Sequence, residues 1–415
     1  MRRTMTLATG LGLSALLLAG CGDDQPLPVA EAMQPDLSMS AQVDGPIRIG
    51  VLVPPVEGIG SEFRPLVEGA RVAAYRFELG GAEVEFTVAL DDGTEAGAQA
   101  AMKALLDDDV AGVVLASTGD HTASAVRAAR QASTAVVLPY GGAEGEGVWS
   151  LAPSDEAVVT QIEAALAEAD AERPYLATAD GREQLDLHAT HAGVLGASEA
   201  MAQEIVALLE SREVDSVVID GSAQEQADLV VALQGLLGSR QLPVVLTPEA
   251  LTTDFGDRLT AAGTTAGWLF SVGTDTDDHV ALTESEAGQN AAVFFSALRL
   301  ASGDVNCVNI YGDDSCAAGI TRGDVASHDA TVALIRAVEA AASTDPAAVR
   351  TALSGLDLAH ADGVVGPDLD FGQGQTLADE DVAVLHASTS DPGLRPADAS
   401  GDPAATLFWF AGGAQ

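Results

Sequence analysis

The sequence predicts an α/β protein built from two doubly wound parallel-sheet lobes. Short, continuous apolar runs alternate with helix-length segments, and strands of this type are buried on both faces by helices, as in parallel sheets. The alternation restarts near residue 154, which gives two successive arrays, each the size of one doubly wound domain. The 415 residues, 47% of them hydrophobic, suffice for two cores of this kind.

In the first array, a turn and then a helix follow each of the first three predicted strands. Gly80-Gly81 ends the first helix, and Thr94 is placed to cap the second. The predicted strands are 47–53, 84–90, 112–116 and 134–138. The predicted helices are 61–79, 94–108 and 120–132.

The second array repeats this plan, and a helical stretch and a strand-like tail follow it. Its predicted strands are 175–179, 192–195, 216–219, 244–246 and 267–272. Its predicted helices are 154–169, 198–212, 223–237 and 250–262. The later helices are 285–301, 327–342 and 346–354. The strands of the tail are 369–371, 382–387 and 406–410.

The amino terminus predicts export and a lipid anchor. Two arginines precede the apolar stretch 7–18, which is too short to span a membrane and is typical of a signal peptide. The stretch ends in Leu18-Ala19-Gly20-Cys21, which resembles the bacterial lipobox, in which the cysteine is lipidated. An ordinary signal peptide with a chance cysteine is the alternative. Residues 1–20 are therefore predicted as the signal peptide, and 21–46 as a flexible tether.

The two remaining cysteines, Cys307 and Cys316, lie in one polar loop. In an oxidising compartment they would form a disulfide that closes a short loop. Two free thiols or a metal site are the alternatives, but a metal site needs more ligands than two cysteines. The sequence therefore favours the disulfide and predicts no metal site.

Charge and missing motifs exclude several classes of function. The formal net charge of −43 opposes binding to nucleic acids. Lys103 is the only lysine and stands in no phosphate-binding motif. The chain has no Gly-x-Ser-x-Gly, Gly-x-Gly-x-x-Gly or His-Glu-x-x-His motif. We therefore expect neither an enzyme nor a protein with a cofactor.

Several motifs, together with the lipobox, carry a family resemblance. In chain order they are IRIGVLVPPVEGIG at 47–60, the strand-helix-strand run 91–118 that opens with Asp91-Asp92-Gly93, Ser327-His328-Asp329-Ala330, STDPAAVRTALSGL at 343–356 and Gly366-Pro367-Asp368-Leu369-Asp370-Phe371. In this order the chain resembles the type I periplasmic solute-binding proteins. The branch that it resembles binds leucine, isoleucine and valine and serves ABC importers.

The resemblance implies two lobes joined by a three-segment hinge, so that each lobe is discontinuous. Lobe one would comprise 47–152 plus 272–365, and lobe two 153–271 plus 366–415. The implied function is an extracytoplasmic, lipid-anchored, monomeric protein that captures a small polar solute between its lobes and delivers it to an ABC permease. The alternative is a ligand-sensing or envelope-regulatory lipoprotein of the same fold. The partners are then the solute, the permease and, through Cys21, a bacterial membrane.

The carboxyl ends of parallel strands carry the ligand contacts in open α/β sheets, and this rule yields candidates without the family. They are Glu57, Gly58, Ser117, Thr118, Gly119, Tyr140, Gly141, Gly142, Asp180, Asp220, Gly221, Ser222 and Glu249. By resemblance, Ser117 to Gly119 and Tyr140-Gly141 would hold a ligand carboxylate. Glu249 of Thr247-Pro248-Glu249 would pair with an ammonium group, although a glutamate in the first turn of a helix is also favoured by the helix dipole.

The sequence departs from this branch at the lip of lobe two, where the family has aromatic residues. The corresponding loops read Asp180-Gly181-Arg182 and Asp220-Gly221-Ser222. A branched-chain amino acid is therefore the default ligand only. Asp180, Asp220 and Glu249 also favour a cationic solute, such as an amide-, urea- or polyamine-like molecule.

Overall fold

The strands between residues 47 and 150 form one sheet, and strands between residues 174 and 411 form another. The computed structural model describes residues 33–41, 43–58, 60–142, 145–238, 240–264, 267–397, 401 and 403–412. The predicted signal peptide and Cys21 lie outside the described residues. The strands are β1 (Ile47–Val53), β2 (Val84–Leu90), β3 (Gly112–Leu115), β4 (Ala135–Leu138), β5 (Val148–Ser150), β6 (Pro174–Thr178), β7 (His191–Val194), β8 (Ser216–Asp220), β9 (Pro243–Leu246), β10 (Trp268–Thr274), β11 (Asp357–Leu358), β12 (Leu369–Asp370), β13 (Val382–Ser388) and β14 (Phe408–Ala411). The helices are α1 (Glu68–Leu79), α2 (Glu95–Asp107), α3 (Ala123–Gln131), α4 (Asp155–Glu168), α5 (Ser198–Ser211), α6 (Ala223–Leu237), α7 (Thr253–Ala261), α8 (Glu286–Gly303), α9 (Val325–Ala341) and α10 (Pro346–Leu353).

The first sheet has the order β2-β1-β3-β4-β5, with every pair parallel. Alternate residues of its strands pack on opposite faces, because successive side chains of a strand point to opposite sides. One face packs against α1, α9 and α10, and the other against α2 and α3. This double cover explains why the central strands are continuous apolar runs.

The second sheet has the order β14-β13-β10-β9-β8-β6-β7. Its five strands from β10 to β7 are parallel, whereas β13 and β14 add two antiparallel strands at one edge. Helices α5, α6 and α7 cover one face, and α4 covers the other. The predicted α/β class with two doubly wound lobes is confirmed, and the strands predicted over 382–387 and 406–410 supply the antiparallel edge.

Three segments connect the two sheets. The chain crosses after β5, returns after β10, and crosses again before β13. Leu369 and Phe371 pack in the core of the first sheet, so the last crossing follows residue 371 rather than 366. The short hairpin of β11 and β12 holds these residues against the first lobe. From Pro35 onward the described residues form one compact unit.

The helix predicted over 61–79 is interrupted. A 3-10 turn, Ser61–Phe63, follows Gly60, and the α-helix begins only at Glu68. Pro65 lies between them and has no backbone N–H, so it cannot continue the hydrogen-bond pattern of a helix interior. The break leaves Glu62 and Phe63 in a loop that follows β1, and both side chains are buried.

The structure brings the predicted cysteine pair together. The Sγ atoms of Cys307 and Cys316 are 1.95 Å apart, and their Cα atoms are 5.3 Å apart. The Cys316 amide donates to the Cys307 carbonyl at 3.0 Å, so the backbone closes the same loop. Both cysteines are buried against α8 and the neighbouring turns.

Candidate functional site

Loops at the carboxyl ends of the strands bring the two lobes into contact. Glu62, after β1, accepts a hydrogen bond at 3.4 Å from the backbone amide of Ala223, the first residue of α6. A helix amino terminus carries a partial positive charge, so a carboxylate is a favourable neighbour there. Burial raises the pKa of Glu62, and the negative charges of Glu249 and Asp254 raise it further. Carboxylates from both lobes therefore face one another here.

An arginine joins two of the predicted ligand residues in the second lobe. Arg182 Nη1 donates to Asp220 Oδ1 at 2.8 Å, and Arg182 Nη2 donates to Glu249 Oε1 at 2.6 Å. Thr247 Oγ1 donates to the other oxygen of Glu249, Oε2, at 2.7 Å. Asp220 ends β8 and is buried, whereas the Arg182 side chain is 38% exposed.

The ionisation of this group reflects both burial and pairing. Burial raises the pKa of Asp220, and the Arg182 charge acts in the opposite direction. Burial lowers the pKa of Arg182, but the carboxylates of Glu249 and Asp220 outweigh it, so the net shift is upward. A guanidinium held between two carboxylates stays charged.

An ion pair also crosses between the lobes. Arg322, on a 3-10 turn that precedes α9, places Nη1 3.0 Å from Asp257 Oδ2 on α7. The same nitrogen lies 3.5 Å from Thr253 Oγ1. Burial and the neighbouring Asp257 raise the pKa of Asp254, which lies on the same helix. The Glu62–Ala223 and Arg322–Asp257 contacts thus both join the lobes.

In the first lobe, the predicted serine is already engaged. Ser117 Oγ donates to Asp91 Oδ2 at 2.5 Å, and His121 Nε2 lies 2.5 Å from the same oxygen. Asp91 directly follows β2 in a fully buried position and also accepts from the Gly93 amide at 2.9 Å. The Ser117 hydroxyl therefore belongs to a network inside the first lobe, where it is hydrogen-bonded to a carboxylate.

Thr118 and Gly119 follow on the same turn. Gly119 has a φ of 104° and is exposed. Thr118 faces Gly60, where an added Cβ would lie 2.7 Å from Thr118 Oγ1. Gly60 also has a φ of 78°, a conformation that favours glycine. The turns after β1 and β3 are thus packed closely against one another.

Tyr140 is directed into the first lobe. Its hydroxyl donates to Asp324 Oδ1 at 3.0 Å, and its ring stacks on Phe63 with centroids 4.6 Å apart. Burial raises the pKa of Tyr140 well above its usual range. Asp324 caps α9 by accepting from the Ser327 amide at 3.0 Å. The Gly141 carbonyl accepts a hydrogen bond from Ser150 Oγ at 2.9 Å.

The predicted site residues fall into three groups. Asp220 and Glu249 lie together and share one cation, whereas Ser117 and Tyr140 lie in the first lobe and are hydrogen-bonded within it. Asp180 and Glu57 are exposed on their loops. Arg182 and Glu62 were not predicted. Arg182 could have been found from the sequence, because it is one of only 19 basic residues against 62 acidic ones and lies close to the end of a strand.

Other features lie away from these loops. A surface cavity of about 310 Å³, lined by residues that include Leu237, Leu242 and Trp268, lies at the end of the second sheet where β9 and β10 begin. Among the described residues, no group of three or more His, Cys, Asp or Glu side chains could hold a metal ion. In the same part of the chain, no helix is long and apolar enough to cross a membrane.

Two doubly wound lobes that meet through loops at the carboxyl ends of their strands define a two-lobed solute-binding fold. A family model described as "Periplasmic binding protein" matches residues 46–391, and the chain belongs to this family, in its type I form. Its fold is that of the periplasmic solute-binding proteins of ABC transporters. Comparison with curated proteins gives no significant match.

Three solved structures illustrate the similarity of fold. The branched-chain amino acid transporter substrate-binding protein LivJ from Streptococcus pneumoniae, in complex with isoleucine, is 16% identical with a TM-score of 0.60, covering 82% of this chain and 100% of that one. A Desulfitobacterium hafniense ABC transporter substrate-binding protein in complex with Leu is 17% identical with a TM-score of 0.59, covering 84% and 98%. A solute-binding protein from R. palustris in complex with 4-hydroxybenzoate is 13% identical with a TM-score of 0.60, covering 84% and 94%.

Proposed function

We propose that this chain is an extracytoplasmic, lipid-anchored protein that captures a small polar solute between its lobes and delivers it to an ABC importer. The observation that carries the proposal is the meeting of charged loops from both lobes, with Glu62 on one side and Asp220 and Glu249 on the other. Hinged closure of two lobes on a ligand would desolvate these groups and strengthen their interactions with it. No catalytic step forms part of the proposal.

The solute class follows from the charges at this junction. Asp220 and Glu249 can accept hydrogen bonds from a cationic or amide-bearing group. In the first lobe, Ser117 is bonded to Asp91, so a ligand carboxylate placed there would meet a buried acidic neighbour. These contacts favour a polar solute with a donor group directed at lobe two over one held mainly through a carboxylate.

A thermal-shift screen of the purified mature chain tests solute binding. Amino acids, amides, ureas and amines are added one at a time, and one class is expected to raise the melting temperature saturably. A ligand at 100 times its Kd stabilises the folded state by about 2.7 kcal/mol. Glu249→Gln should remove the response, whereas the matched control Glu210→Gln, in an exposed ion pair of the same lobe, should retain it. Equal loss in both variants would contradict the site.

Membrane fractionation tests the anchor, and uptake tests the role in transport. Cys21→Ala should move the protein from the membrane to the soluble extracytoplasmic fraction, because one lipidated cysteine is the proposed attachment. Deletion of the gene should lower uptake of the solute found in the screen. A solute that binds without any effect on uptake would instead indicate a sensing or regulatory lipoprotein.

A further inference from the structure

A single guanidinium group already fills the junction between Asp220 and Glu249. Each carboxylate receives one Nη nitrogen of Arg182, at 2.8 and 2.6 Å, so the two acceptors match the fork of one planar cation. A tetrahedral ammonium group presents a compact point charge without this planar fork, which is why guanidinium and ammonium ions are not interchangeable at such sites. The acceptors are therefore arranged for a planar cation.

Asp220 and Glu249, the acceptors, are held more firmly than Arg182, the donor. Asp220 is the last residue of a buried strand, and Thr247 bonds the second oxygen of Glu249 at 2.7 Å. Arg182 lies on the connection 179–190, which contains no helix or strand, and its side chain is 38% exposed. Asp220 is thus fixed by the second sheet and Glu249 by the 3-10 turn that follows β9, whereas the cation extends from a surface loop.

The surrounding charges determine which charge a ligand that replaces Arg182 must carry. Without that guanidinium, Asp220 and Glu249 would have no ionic partner among the described residues. The negative charges of Glu249 and Asp254 both act on Glu62, and Arg322, which acts on Asp254, is itself paired with Asp257. Such a field repels an anion and binds a cation. A neutral solute would leave at least two carboxylates without a counter-ion, which is costly in a closed cleft.

From these contacts we propose that Arg182 is the specificity-determining residue of the cleft. Asp220 and Glu249 form a subsite for a planar guanidinium or amidinium group. Arg182, which is tethered to the chain, occupies this subsite and competes with a free ligand for it. This inference rests on the proposed function, because it assigns the solute class of the same cleft. A tethered group acts at an effective concentration of roughly millimolar, so a free guanidinium must exceed that concentration or gain further contacts in lobe one.

Removal of the tethered cation tests the subsite directly. Arg182→Ala is titrated with methylguanidinium chloride, and binding is followed by calorimetry and thermal shift at constant ionic strength. We expect Arg182→Ala to bind methylguanidinium at least tenfold more tightly than the wild type, and methylammonium chloride to bind at least tenfold more weakly than methylguanidinium. The control Arg173→Ala, which breaks an exposed ion pair with Asp215 in the same lobe, should match the wild type.

Two further variants keep the test decisive. If Arg182→Ala does not fold, as judged by circular dichroism, Arg182→Gln replaces it, because glutamine keeps a donor for one carboxylate. Adding Glu249→Gln to the variant that lacks Arg182 (the open-site variant, Arg182→Ala or Arg182→Gln) should abolish methylguanidinium binding. Equal affinity of the wild type and the open-site variant, or equal binding of methylammonium, overturns the subsite. Different results would refute the proposed function: no solute in the screen stabilises the wild type, and gene deletion leaves uptake unchanged.

Discussion

Glu62 of the first lobe accepts a hydrogen bond from the backbone amide of Ala223, at the amino terminus of α6 in the second lobe. The contact joins residues 161 positions apart and places an acidic side chain of the protein at the positive end of a helix. Arg182 likewise supplies a cation to Asp220 and Glu249. Side chains of the chain itself thus provide both signs of charge at the junction of the lobes.

Glu62→Gln is expected to leave stability unchanged or to raise it at pH 8. Burial and the nearby acidic groups Glu249 and Asp254 raise the pKa of Glu62, so its charged form is disfavoured in the folded protein. Glutamine keeps an oxygen that can accept from Ala223 without the charge. Urea unfolding at pH 8 measures the effect, with the exposed Glu85→Gln as control. A marked loss of stability would show that the charge itself is required.

Glu68 predicts a pH dependence of stability. The pKa of Glu68 is raised from 4.5 to about 7, and burial is the largest cause. A hydrogen bond from the Ile310 amide and the charge of Arg71 oppose the shift. Because the folded pKa exceeds the unfolded one, the stabilising effect is complete below about pH 4.5 and is lost as the pH rises through about 7. The change amounts to at most about 3 kcal/mol, since one pKa unit is worth about 1.4 kcal/mol.

Glu68→Gln isolates this contribution from other titrating groups. Urea unfolding of wild type and variant between pH 5 and 8 should give a difference in free energy that changes over this range. The buried Asp324, whose pKa is raised to about 6, titrates in both proteins and cancels. Parallel curves for the two proteins would show that Glu68 does not titrate in this range.

Tyr140→Phe should lower the free energy of unfolding by about 1–2 kcal/mol. The change deletes a hydrogen bond to the buried carboxylate of Asp324, which keeps its bonds from Ser327, and the loss of one hydrogen bond to such a group costs about this amount. The stacking of the ring on Phe63 is retained. Tyr175→Phe, whose hydroxyl makes a longer bond of 3.3 Å to Glu204, serves as the control. Unchanged stability with lost solute binding would place Tyr140 among the ligand contacts instead.

Reduction of the pair Cys307 and Cys316 should destabilise the protein by about 3 kcal/mol. The structure brings their sulfurs together in a loop of sequence separation 9, and the loop-closure model gives roughly this value for a short loop. Under non-reducing conditions, mass spectrometry of the protein exported by cells should give a mass lower by two hydrogens than that of the reduced protein. Cys307→Ser with Cys316→Ser should match the reduced wild type, and an identical melting temperature with and without reductant would exclude a stabilising bond.

Local patterns determined most of the fold. Buried strands such as β3 and β4 are recognisable as apolar runs, and the helix predicted over 223–237 coincides with α6, because caps and hydrophobic spacing depend on residues within one or two turns. Prediction was wrong where a short-range feature interrupted a pattern, as at Pro65 within 61–79. The strand predicted over 369–371 coincides with the two-residue strand β12, whereas its partner β11, also of two residues, was not predicted.

The sequence by itself determined that the chain alternates strands and helices in two arrays and that charged residues follow several strands. Only the tertiary structure decided which of these residues meet. Arg182 is 38 residues from Asp220 and 67 from Glu249, and Ser117 is 26 from Asp91. These pairings depend on the order of strands within each sheet, and no local spacing encodes that order.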